Sequence, residues 1–508
     1  MKNVMSRPAV IFKYLFLVVA VFAVAAACGY EDLNAEKEKM AAEYYADDSK
    51  ARSALIEAET LKQYIDAGYV AADGKRVLIL HIADQSGKLP QKSIKGAYGV
   101  ATDAYVMEAR SDGPVTDSAM VASGAKMDAF LREFGIDKNT LIVLTSDDLT
   151  KGGSYSQMLA RAFWTFKYWG FSNKQVKVLD GTDKYFASKY ANYMVPFRTD
   201  RPAPSNFSVK ELPGGKMDSY RAPIGEVLGY VKAGKLKANG TGQAIMVSTM
   251  NPQTKVQSNS NTITFVIGNK NAIDGRMNGE TQLALSAKDG DAQNKGYDNA
   301  WTQYIDTTTG KFKTESELKA LIKGLTTDGI TAAAFLPNDK NKRIMFHCQT
   351  GRTTAPHWFV VRELLGYTNA AVYDGSWSEW TNLTYYGAVN GTDSFVNQNN
   401  SGTITPATEY LTYDAKTTNF NISNNGGVAA VSPNSKQNNI NWDTSRYTKF
   451  LTFNGQAPTA TYDNSYNGDG REINKKDKAY QAGEFSADEG SSTGGGSSTG
   501  GGSTPAGC

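Results

Sequence analysis

Short apolar runs recur along the chain, and longer stretches follow them in which apolar side chains return every three or four positions. Val77-Leu78-Ile79-Leu80, Leu141-Ile142-Val143-Leu144, Ala244-Ile245-Met246-Val247 and Ile344-Met345-Phe346 lack the alternation of a half-exposed strand and read as strands buried on both faces. Gln157 to Trp169 reads as a helix, and Trp358, Val361, Leu364 and Leu365 mark one apolar face of another, with Gly366 as its C-cap. Pro356 is tolerated there in a first turn, where its missing N–H is not needed. Thr314 and Glu317 form a capping-box pattern ahead of Leu318, Leu321 and Ile322. Strands at Val176–Leu179 and Ala371–Tyr373 each close on an Asp-Gly pair, Asp180-Gly181 and Asp374-Gly375. Strands alternating with helices predict an α/β fold, each domain a mostly parallel central sheet flanked by helices.

The order buried strand, helix, short strand, Asp-Gly occurs twice, about 190 residues apart, and this internal duplication predicts two tandem domains. We place them at residues 51–200 and 236–385, joined by a linker at 201–235 that carries Pro202, Pro204, Pro213, Gly214 and Gly215. Residues 386–480 shift to Asn, Thr, Ser, Tyr and Gly, with strand-like pieces at Gly427–Val431 and Phe450–Phe453. They predict an irregular or β-rich extension, wrapped on the second domain or standing as an appendage. Residues 481–508 end in a flexible Gly/Ser/Thr tail.

A basic start, an apolar run from Tyr14 to Ala27 that is short for a membrane span, and Ala25-Ala26-Ala27 before Cys28 look like a bacterial lipoprotein signal at 1–27. Cys28 is then the lipidated residue, 28–50 a membrane-proximal spacer, and the location the cell envelope. Gly29, where an aspartate would mark inner-membrane retention, favours the outer membrane. The formal charge of +3 includes Lys2, Arg7 and Lys13 of that signal, so the rest is near neutral and gives no reason to expect a nucleic-acid partner.

Of three cysteines, Cys28, Cys348 and Cys508, none serves a stapled fold in an export compartment that favours disulfides. Cys348 stands where the strand Ile344–Phe346 hands over to a helix, in the loop Cys348-Gln349-Thr350-Gly351-Arg352-Thr353. Helix N-termini and nearby cations favour a thiolate, Arg352 supplies a cation, and Gly351 permits successive amides to line one anion-binding cup. His347 precedes the cysteine on the strand, so it faces the other way and reads as a packed core residue, whereas His357 on the helix reads as a polar-face or packing residue. With three histidines in all, no metal site is expected.

Loop, helix and the closing segment Asp374-Gly375-Ser376-Trp377-Ser378-Glu379-Trp380 agree in order and spacing with the catalytic half of the rhodaneses, the thiosulfate sulfurtransferases, which this chain resembles in a tandem two-domain form. Ile94-Lys95-Gly96-Ala97 resembles the same family's turn in the first half. The resemblance implies that Cys348 takes sulfane sulfur as a persulfide while Gln349, Thr350, Gly351 and Thr353 hold an anionic donor and Arg352 steers it. It implies no cofactor, a small anionic sulfur donor and a thiol or similar acceptor as partners. The chain departs from the family where an Asp-x-Arg pair is usual and Ser248-Thr249-Met250 stands, although Gly275–Gly279 partly restores the pattern. Arginine at the fifth loop position is similar to small periplasmic rhodaneses, whereas the two-domain thiosulfate enzymes carry basic residues earlier.

In the first repeat Thr145-Ser146-Asp147-Asp148 occupies the place of the cysteine loop, so that domain is read as inactive. Thr354 stands where phosphatase and arsenate-reductase relatives carry arginine, which argues against their chemistry. Selenium or tellurium oxyanion handling, and a non-catalytic scaffold in an outer-membrane redox complex, are the alternative readings. A tail of about twenty residues reaches about 25 Å, enough for Cys508 to visit a site on its own molecule as a sulfur acceptor. Trp377 and Trp380 read as packing residues.

Overall fold

The structure is a computed structural model, and it describes residues 35–83, 89–113, 115–149, 154–214, 216–237, 240–249, 281–283, 300–325, 332–348, 350–376, 379, 410–413, 420–424, 427–431, 461–462 and 468–484. The expectations for Cys28, Gln349, Trp377, Trp380, Gly275–Gly279, Phe450–Phe453 and Cys508 lie outside these residues. Residues 1–47 form one compact unit, of which 35–44 are a helix, and 48–508 form the other.

Two parallel sheets organise the larger unit. The first has five strands in the order Leu55–Ile56, Val176–Leu179, Thr140–Thr145, Arg76–Ala83, Tyr98–Ala101. The second has four, in the order Thr281–Gln282, Ala244–Ser248, Arg343–His347, Ala370–Val372. Each strand of the second matches one in the first, read from the other end. Even the outer strand Leu55–Ile56 has its match, because Arg221 bridges Val372 in parallel and Ala222 N–H donates to Val372 O at 2.9 Å. The duplication read from the sequence is thus a duplication of strand order. Within 201–235, read from its prolines as a linker, that bridge and the helix Ile224–Lys232 supply the outer elements of the second sheet, so these elements begin before residue 236.

Central strands are buried on both faces, which is why their sequences are apolar without alternation: Arg76–Ala83, Thr140–Thr145 and Arg343–His347 are buried along almost their whole length. The long helix Ser154–Tyr168 of the first repeat packs on Thr354–Phe359 of the second through Phe163, which meets the rings of Trp358 and Phe359. Thr354–Phe359 continues as a π-turn, Val360–Leu364, and ends at Gly366 with φ +77°, as the sequence predicts. Thr314 and Glu317 cap the helix Glu315–Leu321 reciprocally.

Residues 386–480 are not confined to the second repeat. Tyr410–Tyr413, Phe420–Asn424 and Gly427–Val431 make a three-stranded antiparallel sheet. Thr461–Tyr462 pairs with Val115–Val121 of the first repeat. The helix Glu472–Gln481 then binds both repeats: Asp477 pairs with Arg110 and accepts from Tyr168 Oη at 2.7 Å, while Asn474 Oδ1 accepts from Arg221 at 2.8 Å.

Candidate active site

The strand Arg343–His347 delivers Cys348 to the end of the second sheet. At the neighbouring strand end, where the sequence departs from the family's Asp-x-Arg pair, Thr249 holds His347 O twice, by its N–H at 2.9 Å and its Oγ1 at 3.0 Å. His347 is buried, with Nδ1 3.2 Å from Cys348 O. Cys348 is 1% exposed. Its N–H donates to Ser376 Oγ at 3.3 Å, and that hydroxyl donates onward to Tyr373 O at 2.7 Å.

The loop then turns through Gly351 at φ +74°. A Cβ there would fall 2.7 Å from Asp374 O and 2.8 Å from Arg161 Nη1, so glycine is required by both conformation and space. Thr353 is buried, while Thr350 and Arg352 are half-buried. Arg352 stands within electrostatic range of Arg161.

Behind the loop lies a buried cluster of charge. Asp374 Oδ1 is 2.8 Å from Arg221 Nη2, its Oδ2 is 3.7 Å from Arg161 Nη2, and Oδ2 accepts Val121 N–H at 2.9 Å. Burial alone would raise this carboxyl, but Arg221 and Arg161 together hold it below the usual range. Arg221 also contacts Asp112 Oδ2 at 2.7 Å. Asp112 accepts Ile473 N–H at 3.0 Å, and burial pushes its carboxyl up to about 6 against the pull of Arg221. Glu379 is fully buried, and burial with Asp112 nearby raises its carboxyl well above the usual range. Burial brings Arg161 down to about 10, which leaves it charged at neutral pH, and a charge on Cys348 favours that form.

The structure therefore brings together Cys348 and Gly351 with three groups that sequence reading did not assign to the site, Arg161, Arg221 and Ser376. Ser376 stood in the recognised closing segment. Arg161 had a signal too: it is one charge amid Met158, Leu159, Ala160, Ala162, Phe163 and Trp164. His357 is buried with Tyr304 Oη 2.8 Å from Nδ1, and burial lowers it to about 3, which leaves it neutral. A separate apolar pocket, lined by Leu149, Leu159, Val178, Tyr304, Phe312 and Phe359 among others, includes no described residue of the cysteine loop.

The family model for the rhodanese-like domain matches residues 311–383, which contain this loop, its helix and the closing turn. The chain carries a rhodanese-like domain. The sulfur carrier protein TtuD of Thermus thermophilus is 27% identical over 260 residues, covering 50% of this chain and 72% of that protein. A putative thiosulfate sulfurtransferase of Saccharopolyspora erythraea is 27% identical over 243 residues, covering 46% of this chain and 66% of that one. The crystal structure of the Tum1 protein from Saccharomyces cerevisiae aligns over 64% of this chain and 94% of its own, at 16% identity and a TM-score of 0.42. Cys348 lies inside the stretch that the rhodanese-like domain model matches.

Proposed function

We propose that this protein is a sulfurtransferase that carries sulfane sulfur as a persulfide on Cys348. The single observation behind this reading is the setting of Cys348: the only described cysteine, at the strand-to-loop junction of the rhodanese-like domain, in the field of Arg161 and in the same loop as Arg352. A thiolate there attacks the sulfane sulfur of an anionic donor such as thiosulfate. The new Cys348 S–S bond forms as the donor's S–S bond breaks, and sulfite leaves with the electron pair. A nucleophilic acceptor then attacks the outer sulfur and returns the Cys348 thiolate. Arg352, Gly351 and the hydroxyl residues Thr350 and Thr353 hold the donor. The lipoprotein-like start of the chain, with Cys28 as the acylated residue, supports a reading in which the enzyme is anchored in the cell envelope.

Full-length protein given thiosulfate and cyanide should form thiocyanate, and C348S should not. Undiminished turnover by folded C348S would overturn the assignment.

A further inference from the structure

The helix Ser154–Tyr168 belongs to the repeat that lacks a cysteine, yet its Arg161 is fully buried and reaches the cysteine loop of the other repeat. Nη1 donates to Gly351 O at 3.0 Å and Nη2 donates to Ala119 O at 2.7 Å. The guanidinium lies 4.4 Å from the centre of the Trp164 ring, and Asp374 stands behind it. Four contacts thus fix one side chain.

A peptide unit is planar and trans, so a carbonyl and the N–H that follows it point in opposite directions. Holding Gly351 O therefore also sets the direction of the Arg352 N–H, which faces away from Arg161. We propose that Arg161 is a positioning residue for the sulfur chemistry: it locks the Gly351–Arg352 peptide so that the Arg352 N–H turns toward the Cys348 sulfur, and it keeps a buried positive charge behind that peptide. This deepens the reading above and rests on Cys348 being the sulfur carrier. At the matching place the opposite helix carries no arginine. Counted back from the glycines that end each helix, Gly170 and Gly366, the place of Arg161 is taken in the second repeat by His357, which is buried and neutral.

The test is the pH dependence of iodoacetamide alkylation at Cys348, read by mass spectrometry on native full-length protein, in wild type, R161Q and R161K. In R161Q alkylation at neutral pH should slow about tenfold, because only the thiolate reacts. R161K, which keeps the charge, should return the profile toward wild type. Folded R161Q with a wild-type profile, or R161K no better than R161Q, overturns the proposal. If R161Q does not fold, R161Q/D374N neutralises Arg161 and Asp374 together while Arg221 keeps Asp112, and carries the same comparison. Alkylation needs no sulfur donor, so wild type that takes up no sulfur would sink the proposed function while this comparison still decides the role of Arg161.

Discussion

The two repeats share a strand order and a closing turn but divide the chemistry between them. Each closes on an aspartate that reaches across: Asp180 accepts Phe312 N–H at 2.9 Å from the second repeat, and Asp374 accepts Val121 N–H at 2.9 Å from the first. Each then passes through a left-handed residue that is not glycine, Thr182 at φ +49° and Ser376 at φ +52°. The hydroxyls differ in use. Thr182 Oγ1 donates to Asp147 O at 2.6 Å, whereas Ser376 Oγ receives the N–H of Cys348. In the first repeat the polar groups close on one another: Asp183 accepts from Ser93 Oγ at 2.7 Å and from Thr145 Oγ1 at 2.8 Å, with His81 Nδ1 at 3.0 Å. Ser146, at the cysteine's place, is buried and its Oγ has no hydrogen-bond partner among the described residues. A repeat that has lost its own sulfur thus retains a role by sending Arg161 into the loop of the other.

That division can be broken at several points. The largest effect falls on Cys348: C348S should lower sulfur transfer at least about a thousandfold, as loss of a nucleophile does, while S146C should leave it unchanged and place no persulfide in the first repeat. Persulfide on S146C would mean that the repeats are less different than their loops suggest. Next come the closing aspartates. D374A takes the carboxylate from buried Arg161, leaves Arg221 with Asp112 alone, and should cost about 3–5 kcal/mol in urea unfolding. D180A should cost much less, nearer 1 kcal/mol, because its partner Arg52 is 32% exposed; equal losses would contradict the asymmetry.

The two helix positions differ in pH response. His357 is held near 3 against an ordinary 6.5, so its neutral form contributes stability that is present above about pH 6.5 and lost as pH falls. This one group should give a slope of about 1.4 kcal/mol per pH unit between pH 6 and 4, and H357Q should show a shallower one. An unchanged slope would mean that the buried carboxyls set the acid response. The smallest effect lies far from the site, where T314A removes a capping bond at Glu315–Leu321 and should cost about 1 kcal/mol in thermal unfolding, with sulfur transfer unaffected.

Much of this was legible in the sequence. Fully buried strands announce themselves as unbroken apolar runs, so Leu141–Leu144 and Ile344–Phe346 fell inside the observed Thr140–Thr145 and Arg343–His347. Capping chemistry is local, and Thr314 with Glu317 fixed the start of their helix to the residue. The placement of Cys348 depends on the same local order. What was not legible is what long-range contacts decide. Prolines in 201–235 masked a segment that supplies the outer elements of the second sheet, and nothing near Arg161, Arg221 or Asn474 in sequence says that they meet. Charges within apolar helices were the signal available, and Arg161 carried it.

One measurement bears on the central claim most directly. Full-length protein is exposed to thiosulfate, digested without reductant, and the peptide bearing Cys348 is weighed by mass spectrometry. One added sulfur atom on that peptide, missing from C348S and reduced in R161Q, is the result expected here; an unmodified Cys348 peptide, with sulfur on Cys508 alone or nowhere, would contradict it.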